Sequence, residues 1–185
     1  GRNEEQNIGR CLDSILDQTV PKTQVEIIVV DDGSSDKTAS IVRTYFEKNV
    51  RLLQLSDDAG GKKAALTKGI ETACHPLIVT TDADCIYPNN WLNTLLSYRA
   101  EQDAVFVAAP VKYAKENSFF ERFQSLDFLS LQGITAAAVS KQLFNMCNGA
   151  NLLYSKEAFQ KVKGFEGIDH IPTGDDMLLM EKMQA

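Results

Sequence analysis

Short apolar runs that stop on acidic residues alternate with segments of helical period along this chain. Residues 25–30 and 77–81 are short and rich in Val, Ile and Thr, the pattern of strands buried in a parallel sheet. The first run stops at Asp31 and Asp32, the second at Asp82-Ala83-Asp84. Residues 52–55 and 104–111 predict two further strands, and 146–155 another with polar residues at its start. Between them, Ile8, Leu12, Ile15 and Leu16 share one helical face, and Ala39, Val42 and Phe46 share another. Asn3 with Gln6 predicts a capped start for the first helix, and Ser34 or Ser35 a cap for the second. More helices are expected from Lys62 through Ala73, from Tyr87 with Pro88 in its first turn, and from Lys156 to about Gly164. Residues 118–143 form a long apolar helix around Phe119, Phe120, Phe123, Leu126, Phe128, Leu129 and Leu131. Glu121, Arg122 and Asp127 interrupt it, which argues against a membrane span and favours packing on the domain over lying in a membrane interface. A helix opening this early in an α/β chain normally follows a strand, so the first strand of the sheet is expected upstream of Gly1.

Composition narrows what such a fold can serve. With 185 residues, 44% hydrophobic and 24% charged, the chain suits one α/β domain with a sizeable core. The net charge of -6 argues against nucleic acid as a partner. Cys11, Cys74, Cys85 and Cys147 form no Cys-x-x-Cys pair and lack the density of a secreted disulfide scaffold, which points to reduced thiols in a cytosolic compartment. No signal peptide is visible.

Ligands of open α/β sheets collect beyond the carboxyl ends of the strands, where both acidic pairs are expected. Asp82 and Asp84 suit a hard divalent cation, Mn2+ or Mg2+, that completes its shell with diphosphate and water; a helix cap with a solvated turn is the competing reading. The Asp31–Asp36 turn lacks the alternating ligands of an EF-hand. Gly60-Gly61-Lys62-Lys63 can offer backbone N–H groups and charge to an anion, although it is no Walker A loop. Trp91 is expected in the core, and His75 and His170 stand isolated.

Taken in order, Arg2-Asn3-Glu4-Glu5, the turn from Val30 to Asp36, Gly61-Lys62 with Ala65-Leu66, and Thr81-Asp82-Ala83-Asp84 resemble glycosyltransferase family 2, inverting enzymes of the GT-A fold. The order is more specific than any single motif. The resemblance implies a Rossmann-like, mostly parallel central sheet flanked by helices, in one GT-A domain over residues 1–185 whose first strand and C-terminal part lie outside the chain. It implies that Asp32 faces the nucleotide base, that Arg2 and Glu4 line the same pocket, and that Asp31 supports them. Lys62 and Asp82 would lie near the nucleotide, with Asp84, aided by Asp82, holding the metal on the diphosphate; Lys63 has no counterpart. Asn148, Gly149 and Asn151 match the segment lining the donor sugar and acceptor, although Asn is equally common as a turn former.

At Asp175-Asp176 the family usually has Glu-Asp, whose second residue is the catalytic base. Here the first side chain is one methylene shorter and Asp176 is intact. The implied activity is transfer from a nucleotide diphosphate sugar, a UDP-sugar, to a hydroxyl of a glycan or lipid acceptor in cell-envelope polysaccharide synthesis. The hydrophobic helix resembles the membrane-associated bacterial branch, so the whole protein is expected at the cytoplasmic face of the membrane. A sugar nucleotidyltransferase is an alternative but needs a glycine-rich phosphate loop that Arg2-Asn3-Glu4-Glu5 does not supply. The other alternative is a non-catalytic sugar-nucleotide-binding module.

Overall fold

In the computed structural model, the described residues are all but 56–59, 115, 141–146, 169–170, 172–173 and 185; for 138–140 and 184 only the backbone is described. Two strands at the N-terminal side, β1 (Ile27–Asp31) and β2 (Val50–Gln54), pair in parallel with Asp31 opposite Gln54. Three more, β3 (Leu77–Thr80), β4 (Phe106–Ala108) and β5 (Leu152–Ser155), form a sheet in the order β3-β5-β4. β5 runs antiparallel to both neighbours, and Thr80 and Ala108 each lie opposite Leu152. The carboxyl ends of β3 and β4 therefore meet the start of β5 at one edge, which brings residues 148–151 beside residues 81–84.

The helices are α1 (Ile8–Leu16), α2 (Thr38–Arg43), α3 (Lys62–Thr72), α4 (Trp91–Gln102), α5 (Phe119–Ser140), α6 (Lys156–Lys161) and α7 (Asp175–Gln184). β5 organises the core because its successive side chains face opposite ways. Leu152 and Tyr154 pack with Ile70, Ile78, Phe159, Phe165 and Leu179, while Leu153 packs with Val20, Trp91, Leu92, Leu95 and Val107. Full burial of a side chain such as Leu153 contributes roughly 1.5–3 kcal/mol. Leu179 seats α7 on this core and so fixes the helix that opens with Asp175 and Asp176. A separate cluster of Ile8, Leu12, Val42 and Val50 holds α1 and α2 on the first two strands.

Gly1 extends the ladder of β1. Its amino group donates to Val30 O at 2.7 Å and its carbonyl accepts from Asp32 N–H at 3.0 Å, the two bonds that a parallel partner of Asp31 makes. Beside it, between β1 and β3, runs a slot of 410 Å3 lined by Ile28, Val30, Leu66, Ile78, Val79 and Trp91.

Several local expectations give way to tertiary partners. α1 begins at Ile8, without a side-chain cap, because Asn3 turns away at φ +57° and accepts the Ser35 N–H at 2.9 Å. Ser34 and Ser35 do not cap α2; Asp36 accepts the Thr38 N–H and hydroxyl at 2.9 and 2.6 Å, while Ser34 Oγ accepts from Asn3 N–H. Pro88 precedes the cap of α4, and its carbonyl accepts from Trp91 N–H at 3.0 Å and Gln18 Nε2 at 2.8 Å. The strand expected over 104–111 is confined to β4, since Pro110 has no N–H to continue a ladder.

The expected packing of the 118–143 helix is not met on its apolar side. Phe119 is 87% exposed, and Phe120, Phe123 and Leu126 each exceed half. Its inward contacts are to a short strap: Phe128 meets Tyr113, and Gln132 exchanges hydrogen bonds with the Val111 backbone. Among the described residues, no helix is long and apolar enough to cross a membrane.

Candidate functional site

Asp31 ends β1 almost fully buried, where it accepts from Ser34 N–H at 3.1 Å and Gln54 Nε2 at 3.2 Å. It holds the turn together. Asp32, half-buried, accepts the Gly61 N–H on both carboxylate oxygens at 3.0 and 3.1 Å. The acidic turn and the Gly-Lys segment are thus one structure. Gly61 sits at φ +114°, a conformation that L side chains rarely adopt, and hands its neighbour Lys62 to the start of α3. Glu4 accepts from Asn7 Nδ2 at 3.0 Å, and its own N–H donates to Thr38 Oγ1. Arg2 is exposed beside it.

The second motif is fixed from below. Thr80 Oγ1 donates to Gly149 O at 3.0 Å, and the Asp82 carbonyl accepts from Cys85 N–H at 3.3 Å and Cys11 Sγ at 3.7 Å. Tyr87 Oη bonds the Thr81 hydroxyl and donates to Ala150 O at 2.8 Å, so one phenol ties the Asp-x-Asp loop to the loop before β5. Burial, with Cys85, Asp84 and Asp82 nearby, pushes the Cys11 thiol up to about 12. Asp84 is exposed at the tip, and Asp82 Oδ1 lies 3.4 Å from Lys62 Nζ.

Gly149 is the meeting point. Its N–H donates to Asp176 Oδ2 at 2.7 Å, and a Cβ added there would lie 3.2 Å from Lys62 Nζ and 3.4 Å from Asp176 Oδ2. A side chain there would crowd both the ammonium and the carboxylate. Burial pulls the Lys62 pKa down, yet Asp82, Asp175 and Asp176 together leave it raised. The Cys147 thiol beside them is pushed up to about 12 by burial, then by Asp176 and Asp175. A cleft of 960 Å3 opens next to this point, lined by Gly61, Lys62, Lys63, Phe165, Glu166 and Asp175 among others.

Asp32, Lys62, Asp82, Gly149, Asp175 and Asp176 therefore converge from five separate segments. Two of the expected sugar-pocket residues have other work. Asn151 is buried, accepts from Trp91 Nε1 at 2.9 Å and donates to Pro110 O at 3.0 Å, so its amide joins α4 to the strap after β4. Asn148 Oδ1 accepts from Ala150 N–H at 3.0 Å, as a turn former does. His170 and Thr173 lie outside the described residues.

Lys63 has a role that the sequence did not signal. Its ammonium donates to the carbonyls of Ile168 and Ile171 and thereby anchors the approach to α7 on α3. Tyr87 is likewise invisible in a linear motif because its partners are 6 and 63 residues away.

A divalent ion fits the donor set. Asp82 and Asp84 supply hard oxygens, and among the described residues no group of three or more His, Cys, Asp or Glu side chains could hold a metal by itself. An ion held there would have to complete its shell with phosphate and water oxygens, the preference of Mg2+ or Mn2+.

Comparison with known proteins places these features in context. The profile of glycosyl transferase family 2 matches residues 2–163. The chain is 28% identical over 179 residues to glycosyltransferase AglE of Haloferax volcanii, covering 95% of this chain and 56% of that protein. It is 33% identical over 130 residues to a 4,4'-diaponeurosporenoate glycosyltransferase of Staphylococcus aureus, covering 68% of this chain and 33% of the relative. Among solved structures, the mannosyltransferase PcManGT from Pyrobaculum calidifontis, in complex with GDP-Man and Mn2+, superposes with a TM-score of 0.76 at 25% identity over 99% of this chain and 49% of that one. TarS of S. aureus shares the fold, with a TM-score of 0.71 at 20% identity, covering 99% of this chain and 32% of that one.

Proposed function

The chain belongs to glycosyl transferase family 2, and from that premise we propose that it is the GT-A domain of a metal-dependent, inverting glycosyltransferase. The donor is a nucleotide diphosphate sugar, a UDP-sugar, and the acceptor a hydroxyl of a glycan or lipid. One observation carries the reading: the Lys62 ammonium, 3.4 Å from Asp82, faces Asp175 and Asp176 across Gly149. Charge for a diphosphate and a carboxylate for a hydroxyl proton are thus held a few ångströms apart.

In this reading Asp32 faces the base, with Arg2 and Glu4 beside it and Asp31 bracing the turn. Asp84 and Asp82 would hold Mn2+ or Mg2+, which would supply positive charge against the departing diphosphate. Lys62 adds a further cation on the same side. Asp176 accepts the acceptor proton as the acceptor oxygen attacks the anomeric carbon opposite the leaving group, which inverts its configuration. The Gly149 N–H holds Asp176 Oδ2 and orients that carboxylate. Asn148 and Gly149 border the sugar through their backbone.

The chain spans 56% of glycosyltransferase AglE and 33% of the 4,4'-diaponeurosporenoate glycosyltransferase. The exposed face of α5, with Phe119, Phe120 and Phe123, supports association with a membrane or a lipid acceptor at the cytoplasmic face.

The base-pocket assignment is tested with Asp32→Ala. Loss of a hydrogen bond to a charged acceptor costs about 1.5–3 kcal/mol, so UDP affinity falls roughly tenfold or more with Mn2+ saturating. If Asp32→Ala weakens only the metal, the roles of the two acidic turns are exchanged. Release of UDP that depends on acceptor, compared with binding alone, separates an enzyme from a sugar-nucleotide-binding module.

A further inference from the structure

Lys62 stands between the residues proposed for the nucleotide and those proposed for the metal. Its backbone is tied to the acidic turn through the neighbouring Gly61 N–H, held by both Asp32 oxygens. Its side chain reaches Asp82, one of the two carboxylates assigned to the metal, and lies against Gly149, whose N–H binds Asp176. A cation thus already sits beside a carboxylate proposed for the divalent ion.

We infer that Lys62 is the resident counter-ion of the Asp82 carboxylate and makes uptake of the divalent metal conditional on the nucleotide diphosphate. The inference rests on the proposed metal site at Asp82 and Asp84. Without nucleotide, an incoming Mn2+ must share Asp82 with the ammonium 3.4 Å from its Oδ1 or rest on the exposed Asp84 alone. Both routes weaken it. A diphosphate changes the balance twice: its oxygens complete the metal shell, and its negative charge gives Lys62 a new partner, which frees Asp82. Metal and nucleotide then promote each other's binding by the same factor, as linkage requires.

The fixed geometry makes this more than surface pairing. Gly149 leaves room for the ammonium beside Asp176, with 3.2 Å from Lys62 Nζ and 3.4 Å from Asp176 Oδ2 to a Cβ added there, so a change of side-chain torsion can carry the ammonium from carboxylate to phosphate without moving α3. A lysine serving only the phosphates would gain nothing from lying against a metal ligand. Asp82 and Asp84 are then unequal: Asp84 is the standing ligand, and Asp82 is released on demand.

The test is titration of the folded chain with Mn2+ alone, with UDP or GDP alone, and with Mn2+ plus each nucleotide, read by calorimetry and by the Mn2+ paramagnetic resonance signal. In the unmodified protein, saturating nucleotide tightens Mn2+ by about tenfold or more, within the usual range of coupling between sites. Lys62→Met tightens Mn2+ alone by about threefold, the size expected for removing a half-exposed ion pair, and the factor by which nucleotide promotes Mn2+ shrinks. Lys62→Gln reproduces this, and Lys62→Arg retains the original coupling. If neither neutral variant, folded by circular dichroism, tightens Mn2+ alone while Asp84→Ala removes Mn2+ uptake in the presence of nucleotide, Lys62 is no competitor and this inference fails alone. If Asp84→Ala keeps that uptake, the metal site is wrong and the inference falls with it.

Discussion

Asp176→Asn in the whole enzyme keeps donor affinity near normal and lowers single-turnover transfer at saturating donor and acceptor by ~10²–10⁴, the usual contribution of a general base. Asn matches Asp in size and can still accept the Gly149 N–H, now made at 2.7 Å to Oδ2. It cannot take a proton from an acceptor hydroxyl. The structural cost is bounded, because Asp176 lies in the first turn of α7, where loss of a negative charge costs about 0.3–1 kcal/mol. That is far less than the rate effect. Asp175→Asn is milder, since Asp175 is not the residue bonded to Gly149. Near-normal transfer in Asp176→Asn with a dead Asp175→Asn would shift the base by one position, and activity in both would leave the start of α7 a structural cap.

Asp84→Ala abolishes metal-dependent binding of UDP, measured by calorimetry with Mn2+. A diphosphate that loses its counter-ion faces Asp32, Asp82, Asp175 and Asp176 with Lys62 as its nearby partner. Asp82→Ala has a smaller effect, because removing this carboxylate also releases Lys62, 3.4 Å away, to the phosphates. The ordering of the two losses reflects their surroundings: Asp84 is exposed at the loop tip, and Asp82 is already paired. Equal affinity in Asp84→Ala and the unmodified protein removes the metal from this site.

Features that depend on a few adjacent residues were legible in the sequence. The apolar runs that end at Asp31 and Asp82 are short, local and bounded, and strands form there. The α/β class and the GT-A resemblance followed from their order. Features decided by distant partners were not legible. Asn3 has the chemistry of a cap, and Ser35, 32 residues away, claims it. Asn151 looks like a sugar ligand until Trp91 and Pro110 absorb its amide. Lys63 looks like a redundant neighbour of Lys62, yet successive residues in the first turn of α3 point apart, and Lys62 pairs with Asp82 while Lys63 binds the carbonyls of Ile168 and Ile171. The apolar residues of α5 suggest burial, but a helical period reports only that a face is apolar and not what covers it.

In the proposed complex, Asp82, Asp84, Lys62 and Asp176 surround one metal-bound nucleotide diphosphate. Crystals grown with Mn2+ and UDP or GDP, measured at the manganese absorption edge, test it most directly. An anomalous peak is expected within about 2.0–2.2 Å of an Asp84 oxygen, as for a hard octahedral cation, with the diphosphate bridging it to Lys62 Nζ and the open side of the site facing Asp176. A nucleotide bound with its phosphates away from Asp84, or a manganese peak elsewhere on the chain, would contradict it.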